Sequence, residues 1–408
     1  MMFRLLAGRG AFRLAIQLMG VVLIAVWVAH DYGRFANAIG LTTWLVFVPT
    51  AAEKAALKIL PRTRRTRTAV AGMAVRTATI PALVVLAALV ISLAVSPSSP
   101  TTTYLTAAAW SIAGGLLMTL SGLHRLRGKS NLDATAFACA AAVVVLTTAA
   151  TWLVRWSPET HLLLLLGGII VIIGVSLVAL PAQWRRGAAT PGHRLFPAFG
   201  RSTVLLGLTD LLDVAAVSAV FGILALSGRT TDSGLFYLAL MASSAFCSLL
   251  LYQLKLHQPR TSRRMRGTGA AAGRARACSL LRGSERAGLV FAVVVAVSLA
   301  VPGARALLLE DGTIGSYAVL VVLVAVETTL YAVVLYAGFL VENTNNSVLT
   351  LTSTSALLGL SATVALAGLL VPAFGPAGGF VALILAIAVK AFALRRMLLR
   401  RHPELADQ

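Results

Sequence analysis

Residues 33–67 read GRFANAIGLTTWLVFVPTAAEKAALKILPRTRRTR. An apolar span of helix length enters after Gly33, Arg34 and Phe35 and carries Pro49. It then acquires Glu53, Lys54 and Lys58, and ends in Pro61 and the arginines Arg62, Arg64, Arg65 and Arg67. The pattern recurs downstream. Gly234, Leu235 and Phe236 open another apolar span, followed by Lys255, Pro259, Arg260, Arg263, Arg264 and Arg266. Gly33 to Pro61 is 28 positions and Gly234 to Pro259 is 25. Repetition of this kind inside an apolar chain is the signature of a membrane transporter assembled from two related halves.

Composition agrees. Of 408 residues, 58% are hydrophobic and only 12% are charged, too few to cover a soluble surface of that size. The apolar runs are continuous and near the length needed to cross a hydrocarbon core about 30 Å thick. Backbone groups in lipid must be satisfied internally, and continuous rather than alternating runs point to helices, not barrel strands. The net charge of +21 is read as cytoplasmic-loop lysine and arginine, not as a nucleic-acid footprint. Cys139, Cys247 and Cys278 show no pair spacing, and the six histidines show no ligand spacing, so neither a disulfide framework nor a metal site is expected. The basic residues Arg4, Arg9 and Arg13 precede an apolar run without a small-residue cleavage site, and this segment is read as the first helix.

The fold expected is an all-α polytopic membrane protein with twelve transmembrane helices, at roughly 12–31, 35–60, 75–95, 104–123, 132–154, 162–183, 200–226, 235–256, 287–309, 315–338, 347–371 and 377–397. They form two parallel-repeat six-helix lobes, 1–199 and 200–408, around a central cavity. The basic stretch 257–287 between helices 8 and 9, rich in Arg, Gly, Ala and Ser, is expected to be a flexible cytoplasmic loop. Its Gly267-x-Gly269-x-x-x-Gly273 lacks the lysine and hydroxyl of a phosphate loop. Basic residues crowd one set of connections: Arg4, Arg9 and Arg13; Arg62 to Arg67; Arg125, Arg127 and Lys129; Arg185, Arg186, Arg194 and Arg201; nine from Lys255 to Arg286; and Arg395 to Arg401. The other set holds only Arg34, Arg155, Arg229 and Arg305. This asymmetry places both termini in the cytoplasm. Trp27, Tyr32, Tyr104, Trp152, Trp156 and Tyr317 fall near outer helix ends and Trp184 near an inner one, as interfacial anchors do. Outer connections such as 96–103 are short and polar.

A charged side chain inside a span costs about 2.5–3.5 kcal/mol on insertion scales, so each needs a reason. Lys54 and Lys58 are four apart on one face of helix 2, and Arg76 opens helix 3 at similar depth. They are candidates for a cationic patch that holds a phosphate or diphosphate headgroup, with snorkelling to the interface as the alternative. Glu53 lies beside Lys54. Pro49 removes a backbone bond and clashes with residue 45, so a kink is expected above Glu53. Asp210 and Asp213 in helix 7 are three apart and repel, which suits a proton or Na⁺ relay; satisfaction by a neighbouring helix is the alternative. Glu327 in helix 10 and Lys390 in helix 12 fall near the midplane and are expected to pair with each other or to line one aqueous cavity. Helix 11 is dense in hydroxyls (Ser347, Thr350, Thr352, Ser353, Thr354, Ser355, Ser361, Thr363), which could line a sugar path or bond between helices. No nucleophile–base constellation, metal spacing or ATPase motif is present, so no enzyme and no cofactor are expected. Any coupling falls to H⁺ or Na⁺, the membrane potential or the substrate gradient.

The turn Tyr32-Gly33-Arg34-Phe35-Ala36, the helix end Leu60-Pro61-Arg62, the LLDV of residues 211–214, the GLFYLAL of 234–240 and the VPAFGPAGG of 371–379 resemble one family. It is the polysaccharide-flippase branch (O-antigen/polysaccharide biosynthesis transporter type) of the multidrug/oligosaccharidyl-lipid/polysaccharide exporter superfamily. The resemblance implies two six-helix lobes, alternating access and flipping of undecaprenyl-diphosphate-linked glycans across the bacterial plasma membrane. Its partners would be the lipid-linked glycan, membrane lipids and glycosyltransferases of the same pathway. In that role Lys54, Lys58 and Arg76 hold the diphosphate, while Glu53, Asp210, Asp213, Glu327 and Lys390 line the cavity and couple to ions. Cation-coupled multidrug exporters of the superfamily fit the helix count equally well. A membrane polymerase or ligase would need a long outer loop, and a scaffold for glycosyltransferases would need more than a basic loop that anionic lipid already explains. The topology predicts that a fluorescent protein fused at the C-terminus fluoresces and that alkaline phosphatase fused there is inactive. An active phosphatase would invert the assignment.

Overall fold

The computed structural model describes residues 2–60, 66–97, 99–186, 195–265, 269–300, 314–344 and 348–405. Pro61, Arg62, Arg64, Arg65, Arg194, Arg266, Gly267, Arg305 and Ser347, singled out above, lie outside the described residues. The chain is helical throughout, with no strand among the described residues. Its helices are α1 (Met2–Val26), α2 (Ala29–Thr42), α3 (Phe47–Ile59), α4 (Arg67–Val95), α5 (Pro100–Leu126), α6 (Ser130–Val154), α7 (Pro158–Val178), α8 (Ala182–Arg186), α9 (Leu195–Leu226), α10 (Asp232–Arg264), α11 (Gly269–Ala300), α12 (Ile314–Thr344) and α13 (Leu349–Arg401). A 3-10 turn, Thr43–Val46, joins α2 to α3, and another, Pro403–Leu405, follows α13. Among the described residues, ten helical segments are long and apolar enough to cross a membrane, α2 and α3 counting as one.

Several boundaries depart from the sequence reading, each for a local reason. The 3-10 turn lies just ahead of Pro49, which sits in the first turn of α3 where no N–H bond is lost. The strain expected at residue 45 is thereby absorbed in that turn. The stretch 257–287 is not a flexible loop where it is described: residues 257–264 continue α10 through Pro259, and 269–287 open α11. Its Ala, Arg and Leu are strong helix formers. Ala277 and Leu281 are buried against Val334, Ala337, Leu340 and Val341 of α12 and Ala391, Leu394 and Leu398 of α13, which fixes the helix. Ser99 caps α5 by accepting from the Thr101 N–H at 3.2 Å, with Pro100 at the first helical position, so residues 100–103 are helix rather than loop. Ser157 and Pro158 start α7 in the same way. Tyr32 and Tyr104 turn inward instead of marking the interface: Tyr32 is buried and the Tyr104 hydroxyl donates to Asn37 Oδ1 at 2.8 Å.

Helix α13 joins the last two expected spans. Its 53 residues would extend about 80 Å, far beyond a hydrocarbon core of about 30 Å, and a break divides it. Gly375 (φ 52°, ψ −132°) interrupts the helix between Pro372 and Pro376. The buried hydroxyls of its first half donate to carbonyls of their own helix: Thr352 and Ser353 to Leu349 O, Ser355 to Thr352 O and Thr363 to Gly359 O. These bonds account for part of the hydroxyl density without a sugar path.

The chain forms two compact units, Met1–Leu211 and Leu212–Gln408, the division falling inside α9. In the first unit α5 is the hub, packed against α2, α3, α4, α6 and α7. Its buried residues are mainly small or hydroxylated, among them Ala107, Ala109, Ser111, Ala113, Gly115 and Thr119. Between helices in lipid, such residues allow the close approach that van der Waals attraction needs. In the second unit α11, α12 and α13 pack together, α10 packs on α12, and Phe221, Phe236 and Phe380 stack with centroids 5.0 and 4.8 Å apart.

At Gly375 the positive φ is one that the backbone adopts most readily with glycine. A Cβ there would lie 2.8 Å from Arg229 Nη1. Gly375→Ala is expected to cost about 1–3 kcal/mol and to lower the unfolding temperature of the detergent-solubilised protein. An unchanged transition would show that the break is not held in this conformation.

Candidate functional site

Helices α3 and α9 approach closely at Ala51 and Gly207, where a methyl group on residue 207 would overlap the Ala51 side chain. Three residues along each helix from that contact, Lys54 and Asp210 meet. Lys54 Nζ donates to Asp210 Oδ1 at 2.9 Å, and the two side chains are only 10% and 9% exposed. Lys58, one turn further on the same face of α3, is also buried, so neither lysine extends to open surface as snorkelling would require. Arg76, the third member of the expected patch, is exposed on α4. The structure therefore buries Lys54 and Lys58 on one helix face and leaves Arg76 at the surface.

In the second unit, Lys390 of α13 donates to both carboxylate oxygens of Asp213, at 2.6 and 2.5 Å. Glu327 of α12 is buried and accepts from Ser243 of α10 at 2.6 Å and from Thr328 at 3.5 Å. Two sequence expectations are corrected here. Lys390 and Glu327 do not pair with each other; Lys390 belongs to Asp213. Asp210 and Asp213 do not act as a repelling couple, because each carboxylate is neutralised by its own lysine. A spacing of three places neighbours about 60° apart around a helix, enough for one carboxylate to reach α3 and the other α13.

The first unit also holds an ionic chain. Arg125 Nη2 of α5 donates to Glu53 Oε1 at 2.9 Å, and Arg125 Nε lies 3.2 Å from Asp133 Oδ2 of α6. Asp133 Oδ1 accepts from Nε and Nη2 of Arg9 on α1, both at 3.3 Å, and the Arg9 guanidinium lies 4.3 Å from the centroid of the Phe137 ring. Four helices are thereby joined through buried charges, with Glu53 and Asp133 essentially sealed from solvent. Of this chain the sequence reading singled out only Glu53. Arg9 and Arg125 sit in basic segments that the loop-charge pattern explains on its own, and Asp133 lies in the first turn of its helix, so no local signal separates them. The one available hint was Glu53 itself, a buried acid that had to find a base.

The arrangement suits electrostatic recognition. Its parts are buried lysines held by carboxylates and a glutamate held by hydroxyls; among the described residues there is no cluster of three or more His, Cys, Asp or Glu able to hold a metal. No protein-family model matches the chain and no curated protein matches its sequence. Solved structures do match its fold. The MATE multidrug transporter DinF-BH is similar over 99% of this chain and 95% of its own, with 15% identity and a TM-score of 0.63. A mutant of the Vibrio cholerae MATE transporter VcmN is similar over 100% and 98%, with 15% identity and a TM-score of 0.56. A transporter of the MOP superfamily from Pyrococcus furiosus, described as having a binding pocket of reverse polarity and a different function, is similar over 99% and 96%, with 14% identity and a TM-score of 0.57. The chain is thus a multi-pass helical membrane protein with the MATE transporter fold.

Removing Arg125 leaves two buried carboxylates without their shared base. Arg125→Met is expected to cost about 3–5 kcal/mol, read as a lower unfolding temperature in detergent. The double change Glu53→Gln, Arg125→Met, which leaves Asp133 paired with Arg9, should recover most of that loss. A fully stable single variant would show that the chain of charges does not exist.

Proposed function

We propose that the chain is a membrane transporter that flips a lipid-linked oligosaccharide or cell-wall glycan precursor, carried on undecaprenyl diphosphate, across the bacterial plasma membrane by alternating access. The observation that carries this reading is the pair of buried lysines on adjacent turns of α3, Lys54 and Lys58. Cations held at that depth serve an anionic cargo, and a diphosphate presents two phosphoryl groups to two ammonium groups. The surplus of lysine and arginine over acid adds attraction toward anionic headgroups arriving from the cytoplasmic leaflet. A MOP superfamily transporter similar in fold is described as having a binding pocket of reverse polarity that suggests a different function, so the polarity of the pocket varies within this fold. In this reading Arg76, exposed on α4, meets the headgroup before the buried lysines do. The expected partners are the lipid-linked glycan, membrane lipids and the glycosyltransferases that build the glycan; no nucleic acid and no catalytic step are involved.

A second reading, a cation-coupled exporter of small amphipathic compounds, has one observation in its favour. Glu327 is buried with hydroxyl partners and, among the described residues, no basic one, an arrangement suited to taking up H⁺ or Na⁺ from the membrane interior. The fold relative DinF-BH is itself described as a multidrug transporter.

Transport of a fluorescent undecaprenyl-diphosphate oligosaccharide in proteoliposomes separates the two. The flippase reading expects transport by the wild type and a loss of about tenfold or more in Lys54→Ala, with Glu327→Gln affecting only the dependence on an ion gradient. Absence of lipid transport together with ion-driven dye efflux that Glu327→Gln abolishes would establish the exporter instead.

A further inference from the structure

The burial of Lys54 poses a problem that the local geometry answers. A lysine waiting in hydrocarbon for an anionic cargo cannot remain an isolated charge, because the desolvation cost of an unpaired ammonium is prohibitive. Lys54 is nevertheless only 8% exposed, and Asp210 holds it at 2.9 Å through one carboxylate oxygen. The contact is made by α9, a different helix from the one that carries both lysines, so the carboxylate can withdraw without disturbing the spacing of Lys54 and Lys58. Asp213, on the same helix, answers a lysine in the same way, accepting from Lys390 with both oxygens at 2.6 and 2.5 Å, so α9 supplies carboxylate counter-ions to lysines of two helices.

We propose that Asp210 is a resident counter-ion that occupies Lys54 in the absence of cargo and is exchanged for the phosphate of the incoming headgroup. This rests on the reading of Lys54 as a headgroup contact and adds to it a basis for selection. A carboxylate carries one negative charge and the diphosphate diester of a lipid-linked glycan two, so exchange at Lys54 gains electrostatic energy only when the cargo is multiply anionic. Neutral lipids and cationic amphiphiles offer Lys54 nothing to replace Asp210 and are refused. Lys58, one turn away on the same face, supplies the second cation that a diphosphate, but not a carboxylate, is large enough to bridge. The Ala51–Gly207 contact sets the separation of α3 and α9 beside the pair, so a bulkier residue at 207 would loosen the clamp without touching a charge.

The test is a titration of the detergent-purified full chain with farnesyl diphosphate, with farnesol as the uncharged control, for the wild type, Asp210→Asn, Lys54→Ala and the double variant. Removing the competing carboxylate should tighten farnesyl diphosphate binding about tenfold or more. Lys54→Ala should abolish it with or without Asp210, and farnesol should be indifferent to all changes. Binding to Asp210→Asn alone, with none to the wild type, would support the exchange in its strongest form. Asp210→Asn binding equal to or weaker than wild type would overturn the exchange and leave the headgroup reading standing. Lys54→Ala binding equal to wild type, or no binding by any variant, would overturn both. If Asp210→Asn does not fold, infrared difference spectra of the wild-type chain labelled with [4-¹³C]aspartate give the answer. Farnesyl diphosphate should shift a carboxylate stretch in the wild type and not in Lys54→Ala, and unshifted bands would overturn the proposal.

Discussion

The cost of holding a charge in hydrocarbon governs this molecule. Each ionised side chain within a span carries a penalty of about 2.5–3.5 kcal/mol on insertion scales, and the chain meets it by bringing charges together in pairs. Helix α9 is central to this, because its Asp210 answers Lys54 of α3 and its Asp213 answers Lys390 of α13. The close packing of Ala51 and Gly207 sits three residues along each helix from the first of these pairs. Glu53 is governed by the same rule and accepts from Arg125.

Pairing of this kind does not make a protein more stable than an apolar alternative would. Replacing a buried ion pair with well-packed hydrophobic residues is often neutral or stabilising, whereas removing one partner is costly. The value of the pairs therefore lies in fixing helix register and in keeping charge available where apolar residues could not supply it. The ionic chain Glu53–Arg125–Asp133–Arg9 serves the first purpose, joining α3, α5, α6 and α1 at one level of the first unit. Lys54 serves the second, and in the proposed function an anionic cargo is the partner that Lys54 and Lys58 await.

Most of the fold was legible because long apolar runs admit one structure in lipid. The intramembrane charges were legible too, since Lys54, Asp210, Asp213, Glu327 and Lys390 stand out against their apolar neighbours. Their partners were not. Which carboxylate meets Lys390 depends on how far each helix is rotated about its axis, and a continuous apolar run records little of that rotation. Arg9 and Arg125 were hidden for another reason: they belong to basic segments whose composition is fully explained by topology, so burial of these two left no mark. The stretch 257–287 was misread because its Gly, Ala, Ser and Arg content was weighed as composition, whereas Ala277, Cys278 and Leu281, at spacings of one and three, supply the buried face that makes it helix. Pro49 was expected to kink a helix; it sits in the first turn of α3, where proline costs little.

The account stands or falls on whether intramembrane lysines are held by the carboxylates of α9. A double-mutant cycle on the pair in the second unit measures this most directly, using the unfolding stability of the detergent-solubilised protein for Lys390→Met, Asp213→Leu and the two combined. The account expects each single change to cost about 3–5 kcal/mol, because it strands a buried charge, and the combined change to restore most of that loss. Single changes without effect, or a double variant as unstable as the sum of the singles, would contradict it.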